Sequence, residues 1–332
     1  MFKPTRRQFV NSVLAGAAAV PLVPALGMRE ARAAWPDKSI KIIVGFPAGG
    51  LTDAYARAYG DFIAQKTGQS VVVENKAGAG SIIACEQVAK SPPDGYTFLF
   101  TISTAFNQNT ILYKKLPYDP AKDFEFVSGF SAGQLPMAVY KDIKANDLKE
   151  FIALSKTQKL TMGTYAPGAY PQMLAQQLNK LYGANIESIS YRGEAPMWQD
   201  LAAGQISAAI GSYQAMIPHV QAGNARVVGQ PTDSRHPKLP DVPTFGEQGF
   251  KEAVFTLEGW IGWFAPTGTP KPIIAQISDW VQEAAKTERL VKIHENFGIA
   301  KRPWTATEFA ALQQEIGPKW VSLAKELGVT LD

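Results

Sequence analysis

The chain of 332 residues reads as an α/β protein. Three observations predict it. Short runs rich in β-branched and aromatic residues alternate with longer runs of helical period. Several short runs end in a glycine or proline turn at which a helix starts at once. Apolar residues make up 46% of the chain, enough for one or two cores at this length.

Strand-like runs fall at 40–46, 70–74, 96–102, 125–128 and 137–140, then at 160–164, 186–191, 206–211, 225–228 and 254–264. Helical runs fill the gaps. The first places Leu51, Tyr55, Ala58, Tyr59, Phe62 and Ile63 on one face, with Asp53, Arg57, Asp61 and Ala64 on the other. Further helices are expected at 171–181, 270–286 and 305–327. Residues 230–249, rich in proline and polar side chains, form an ordered surface connection with a short helix. The sequence has no short-period repeat, low-complexity segment or flexible linker, so two lobes would be joined by short hinge strands.

The N-terminus carries an address. Thr5-Arg6-Arg7-Gln8-Phe9-Val10 is a twin-arginine export pattern, followed by an apolar run over 13–26. That run is interrupted by Pro21 and Pro24 and falls short of the roughly 20 residues a membrane span needs. Ala31-Arg32-Ala33 offers a small-x-small cleavage site, making 1–33 a signal peptide and Ala34 the first mature residue. A retained anchor, or an ordinary secretory signal containing two arginines, are the alternatives. Five of the 33 basic residues (Lys3, Arg6, Arg7, Arg29, Arg32) and one of the 29 acids (Glu30) lie in this leader. Each count then falls to 28, the mature net charge is zero, and neither nucleic acid nor a membrane surface is indicated as a partner. Cys85 is the single cysteine, so stability comes from a core and not from an internal disulfide.

The densest chemistry lies at Phe46-Pro47-Ala48-Gly49-Gly50-Leu51-Thr52-Asp53, where an apolar strand meets a helix through a loop with little side-chain bulk. The first N–H groups of that helix have no intrahelical partner, and its dipole adds partial positive charge. A small anion fits such a cradle without a lysine or arginine. Thr52 can cap the helix or offer its hydroxyl to a guest. A tight strand-to-helix connection is the plainer reading. Similar turns occur at Gly163-Thr164-Tyr165-Ala166-Pro167-Gly168-Ala169-Tyr170 and Arg192-Gly193-Glu194-Ala195-Pro196, and Ser103 and Thr104 follow another strand. Ligands gather at the carboxyl ends of strands in open α/β sheets, so these loops would line one cleft.

These segments, with Val71-Val72-Val73-Glu74-Asn75-Lys76-Ala77-Gly78-Ala79-Gly80, Pro93-Asp94-Gly95-Tyr96-Thr97 and Leu116-Pro117-Tyr118-Asp119-Pro120, resemble the Bug family. Its members are periplasmic solute-binding receptors of tripartite tricarboxylate transporters. Pro240-Asp241-Val242-Pro243-Thr244 and Phe264-Ala265-Pro266-Thr267-Gly268-Thr269-Pro270 extend the resemblance along the whole mature chain. It implies a two-lobed flytrap of the type II periplasmic binding class, each lobe a doubly wound sheet with helices on both faces. One lobe would combine 34–138 with 257–332, and the other would span 139–256. It implies a monomer that captures a small organic carboxylate through backbone amides, uses no cofactor or metal, and delivers its ligand to two integral-membrane subunits. Ligand-binding residues would be Phe46, Ala48, Gly49, Gly50, Thr52, Asp53, Ser103, Thr104, Tyr165, Ala169, Tyr170, Tyr191 and Arg192. A periplasmic sensor reporting to a signalling receptor is the alternative role.

The chain departs from the family at Gly211-Ser212, where an Asp-Asn pair is common, and this argues against an amino-acid ligand. Tyr165, Tyr170, Tyr191 and Phe46 would admit an aromatic acid, although Tyr165 and Tyr170 also suit packing against the next helix. Arg192 reads equally as an exposed or ion-paired loop residue, and Glu194 is expected to point to solvent. An enzyme is the competing class. Gly129-Phe130-Ser131-Ala132-Gly133 has nucleophile-elbow spelling, but an extended run follows where a helix is required. His219, His236 and His294 are not placed to serve as its base. Cys85 reads as a buried inert thiol, no cluster has metal-ligand spacing, and Gly78-Ala79-Gly80 lacks the third glycine of a dinucleotide fingerprint.

Overall fold

The computed structural model describes residues 35–299, 301–328 and 330–331. The leader and its cleavage site at Ala33 lie outside them.

Among the described residues, eleven strands build two mixed sheets. The first has the order β11-β4-β10-β3-β1-β2. Its members are β1 (Ile40–Val44), β2 (Val71–Asn75), β3 (Thr97–Ile102), β4 (Phe124–Ser131), β10 (Trp260–Pro266) and β11 (Trp304–Thr305). The second has the order β7-β6-β8-β5-β9. It comprises β5 (Met137–Tyr140), β6 (Leu160–Thr164), β7 (Ile186–Ser190), β8 (Ala208–Ile210) and β9 (Ala225–Gly229). In each sheet a strand from a parallel pair also lies parallel to a third, as β1 does between β2 and β3, and antiparallel strands complete the edge. Helices cover the sheets: α1 (Leu51–Thr67), α2 (Ile82–Ala89), α3 (Ser103–Phe106), α4 (Asn109–Leu112), α5 (Leu148–Thr157), α6 (Tyr170–Tyr182), α7 (Glu194–Ala202), α8 (Tyr213–Gln221), α9 (Lys271–Ala284), α10 (Glu288–Asn296) and α11 (Ala306–Glu326).

The apolar run of β1 is buried at every position except Lys41, as a strand covered on both faces must be. Behind it, α1 buries Tyr55, Ala58, Tyr59 and Ile63 as its period predicts. It also buries Asp53, which the period placed on the polar face. β10 enters this sheet from the far end of the sequence, pairing with Ile102 through Ile261 and with Ser131 through Trp260. The chain therefore leaves the first sheet after β4 and returns at β10, and these two crossings are tied where the Ala132 N–H donates to the Gly259 carbonyl at 2.9 Å.

Two element readings are corrected. The run at 254–264 is not one strand: Ala253–Phe255 is a turn of 3-10 helix and pairing starts only at Trp260. The strand read at 125–128 extends over Phe124–Ser131, which makes Ser131 the last residue of a strand. α11 opens with a capping box, the Thr305 side chain accepting from the Glu308 N–H while Glu308 returns the bond. Its Phe309 packs in the aromatic core of the first sheet, whereas Trp320 and Leu327 lie in the core of the second.

Candidate functional site

A cavity of about 360 Å³ opens between the carboxyl ends of the two sheets. From the first sheet come Phe46, Ala48, Gly49, Gly50 and Thr52 of the β1–α1 loop, with Ser103 and Thr104 at the start of α3. From the second come Tyr165, Tyr170 and Arg192. These ten of the thirteen residues expected to bind ligand share one lining. Asp53, Ala169 and Tyr191 lie outside it.

The cradle is built by Asp53 from behind. Its carboxylate accepts from the Gly49 N–H at 2.9 Å and from the Asn75 amide at 3.0 Å. Arg57, one turn further along α1, approaches it at 2.9 Å. Asn75 also donates to the Phe46 carbonyl at 3.0 Å, fastening the start of the loop to the end of β2. Burial alone would raise the Asp53 pKa, but the bonds from Arg57, Gly49 and Asn75 outweigh it and hold the carboxyl below its usual range. Asp53 thus lies outside the cavity lining and holds the loop in place from behind. Gly49 sits at φ +84, a left-handed conformation that favours glycine. Gly50, not Thr52, is the N-cap of α1, and no side chain bonds the helix end. The first N–H groups of α1 therefore face the cavity region unsatisfied by a cap.

Ala169 caps α6 with its side chain fully buried behind the wall. Tyr170 behind it is buried and stacks edge-on to Trp320 at 6.3 Å. The Tyr191 hydroxyl turns away from the cavity and donates to Asp200 at 2.8 Å. Its ring lines a second, smaller cavity of about 260 Å³ beside Gly78–Ser81, with Arg192 at the edge of both. There Ala79, Gly80 and Ser81 all have positive φ, and the Ser81 hydroxyl is pressed against Gly45 and bonded to Thr101 Oγ1 at 2.7 Å.

Glu194 overturns the expectation that it points to solvent. Its carboxylate turns into the cavity wall and accepts from the Ser212 N–H at 3.1 Å and from the Ser212 hydroxyl. Burial raises its pKa, opposed by the Ser212 bonds. Gly211 leaves the room: a Cβ there would lie 3.2 Å from Glu194 Cδ and 3.1 Å from Trp198 Nε1. An acid thus stands beside Gly211-Ser212 after all, delivered from α7. Sequence reading also missed Trp198, Trp260 and Trp320 as lining residues, because each belongs to a helix or strand and not to one of the turns.

Ser131 has no catalytic geometry. Its hydroxyl donates to Glu258, accepts from the Gly133 N–H at 2.9 Å, and is followed by extended chain. His236 stacks on Tyr213, and His294 lies against Tyr59, Tyr55 and Phe130 in the α1 core, so neither serves it as a base. Cys85 is buried, its thiol pushed up to about 12 by desolvation. No helix among the described residues is long and apolar enough to cross a membrane.

Two sheets facing a cleft, with an uncapped helix N-terminus at its wall, are the arrangement of a solute-binding protein of the two-lobed periplasmic class. The chain belongs to the tripartite tricarboxylate transporter family of receptors, whose profile matches residues 55–329. BugT of Bordetella pertussis (strain Tohama I) is 30% identical over 300 residues, 90% of this chain and 91% of that one. An R. palustris protein solved with adipate is 27% identical with a TM-score of 0.83, covering 89% of this chain and 99% of that one. MatC from Rhodopseudomonas palustris, solved with bound malate, is 28% identical with a TM-score of 0.77 over 87% of this chain and 99% of that one. The family is one of receptors, and the chain is accordingly a receptor and not an enzyme.

Proposed function

We propose that the chain is exported through its twin-arginine leader and captures a small organic carboxylate in this cleft as a monomer. It then presents the closed form to two integral-membrane subunits. The observation that carries the reading is the uncapped start of α1 at the cavity, positioned by the buried Asp53 behind it. There, partial positive charge and free N–H groups coincide with a glycine loop that lets an anion approach the backbone. The relatives solved with adipate and malate support an acid as the guest. The two lobes, one carrying the first sheet and the other the second, move about the crossings near Ala132 and Gly259; β5 goes with the second sheet, so the crossing precedes Met137 and not Val139. A ligand favours closure only through contacts it gains in the closed state.

Thermal melting of the mature chain against mono-, di- and tricarboxylates and aromatic acids tests this. Ligand at about 100 times its dissociation constant contributes roughly 2.7 kcal/mol. For a unit of this size that raises the melting point by about 4–5 °C. No shift with any acid, and no acid released on denaturation, would refute the carboxylate reading.

A further inference from the structure

Two carboxylates line the cavity of a receptor for an anion, and they are not equivalent. Glu258 is matched by Lys301 at 3.3 Å and accepts from the Ser131 hydroxyl. Glu194 has no cation partner among the described residues. It is met instead by two donors of one residue, the Ser212 N–H and the Ser212 hydroxyl, with the Trp198 ring beside it. Burial raises the pKa of this carboxyl and the Ser212 bonds oppose the rise, so it is the geometry of those two bonds that makes Glu194 an acceptor. Burial makes the Tyr165 phenol harder to ionise, and Glu194 nearby adds to this. Arg192, the cation of the lining, is exposed at the edge shared by the two cavities. The first sheet therefore presents partial positive charge at the start of α1, while the second presents a hydrogen-bond acceptor at Glu194.

We infer that this cleft selects a monocarboxylate carrying a hydrogen-bond donor, a hydroxyl or an ammonium, at the end that meets Glu194, and discriminates against a second carboxylate there. The inference rests on the carboxylate reading and narrows it. Between the two polar walls Tyr165, Trp198, Trp260 and Trp320 offer flat apolar surface, so the body of the ligand is apolar, with aromatic rings accommodated. Glu194 acts in specificity by two routes. It accepts from the donor, and its oxygens, already accepting from Ser212, would stand acceptor to acceptor against a second carboxylate. Gly211 makes this possible, since any side chain there would displace the Glu194 carboxyl or the Trp198 ring.

The test uses two scaffolds, each with either a donor or a carboxylate at the remote end: 4-hydroxybenzoate against terephthalate, and 6-aminohexanoate against adipate. Calorimetric titration of the mature chain should show, for at least one scaffold, the donor-bearing acid bound at least about tenfold more tightly than the diacid. Glu194→Gln, which keeps the shape and the Ser212 contact, should close that gap to within about threefold by weakening the first and strengthening the second. Diacids binding the wild-type chain as tightly as their donor-bearing counterparts would overturn the inference and leave the carboxylate receptor standing. A preference unchanged in Glu194→Gln would overturn the role of Glu194. Absence of binding by all four acids would overturn the inference, and the melting panel then decides the fate of the broader reading.

Discussion

Replacing Asp53 by asparagine isolates how the cradle is held. The Asp53 side chain is only 7% exposed and has donors on both oxygens: Gly49 N–H on Oδ2, Asn75 and Arg57 on Oδ1. An asparagine has one oxygen, so whichever way its amide turns, an NH₂ group confronts at least one of those donors. Hydrogen bonds to a charged group contribute about 1.5–3 kcal/mol each, and the loss of one leaves a buried donor unpaired. Asp53→Asn should therefore cost about 2–3 kcal/mol at pH 7. For a unit near 300 residues, where 1 kcal/mol moves the midpoint by about 2 °C, the melting point falls by about 4–6 °C.

The pH dependence follows from the depressed carboxyl. A group whose native pKa lies below its unfolded value, about 3.9, contributes stability that is fully present above that value. That contribution is lost as pH falls through the native value. The melting difference between wild type and Asp53→Asn should accordingly be full at pH 7 and shrink toward pH 3, where general acid destabilisation affects both chains and cancels in the difference. Gly49 should lose amide protection, and acid binding should weaken with it. Equal melting points at pH 7, or a gap that does not narrow on acidification, would refute this account of the cradle.

Two further substitutions probe the cleft. Gly50→Leu should abolish acid binding while shifting the unliganded melting point by about 1 °C or less. An added Cβ there meets only the Pro47 carbonyl at 3.7 Å, and φ is an ordinary −86; wild-type affinity in this variant would disprove the cradle. Gly168→Ala should weaken acid binding by about tenfold or more and give a larger radius in small-angle scattering with ligand. Its Cβ would fall 2.0 Å from Leu112 Cδ1, which is buried in the core of the second sheet, at φ +70; an unchanged radius and affinity would show that this approach does not limit closure.

The parts of the fold visible in sequence are those decided locally. β5 and β6 occupy 137–140 and 160–164 as read, because each is an apolar run bounded by turn residues. α11 was legible from Thr305 and Glu308, a capping signal three residues apart. The misreadings share one cause, a partner distant in sequence. Asp53 was placed on a polar face since nothing nearby shows that Asn75, at the end of another strand, will bury it. Glu194 was expected in solvent because its charge would repel an anion held nearby. Its position is set by Ser212 and by the missing side chain of Gly211. Tyr191 was turned to the cleft, but Asp200 on the following helix holds its hydroxyl. The cradle itself was recognisable because every element it needs, strand end, glycines and helix start, lies within one short segment.

The distribution of contacts across the cleft bears on how ligand capture is converted into shape. At one approach across the cleft a glycine meets an apolar ring, Gly193 facing Pro47. That contact excludes water over little area and supplies no charge attraction, so it holds the lobes together weakly on its own. Stronger ties come from Leu112 of α4, buried in the core of the second sheet, and from α11, a single helix whose Phe309 belongs to one core and whose Trp320 belongs to the other. Its last turn is fastened to α6 where Lys180 approaches Glu326 at 2.9 Å. Because Trp320 also lines the cavity against Tyr170, a guest filling the space adds contacts to the element that both cores share. A ligand shifts a two-state equilibrium only by its differential affinity. The weak glycine contact and the shared helix together make that difference depend on what occupies the cavity, with the cradle on one wall and Glu194 on the other deciding which acid is able to supply it.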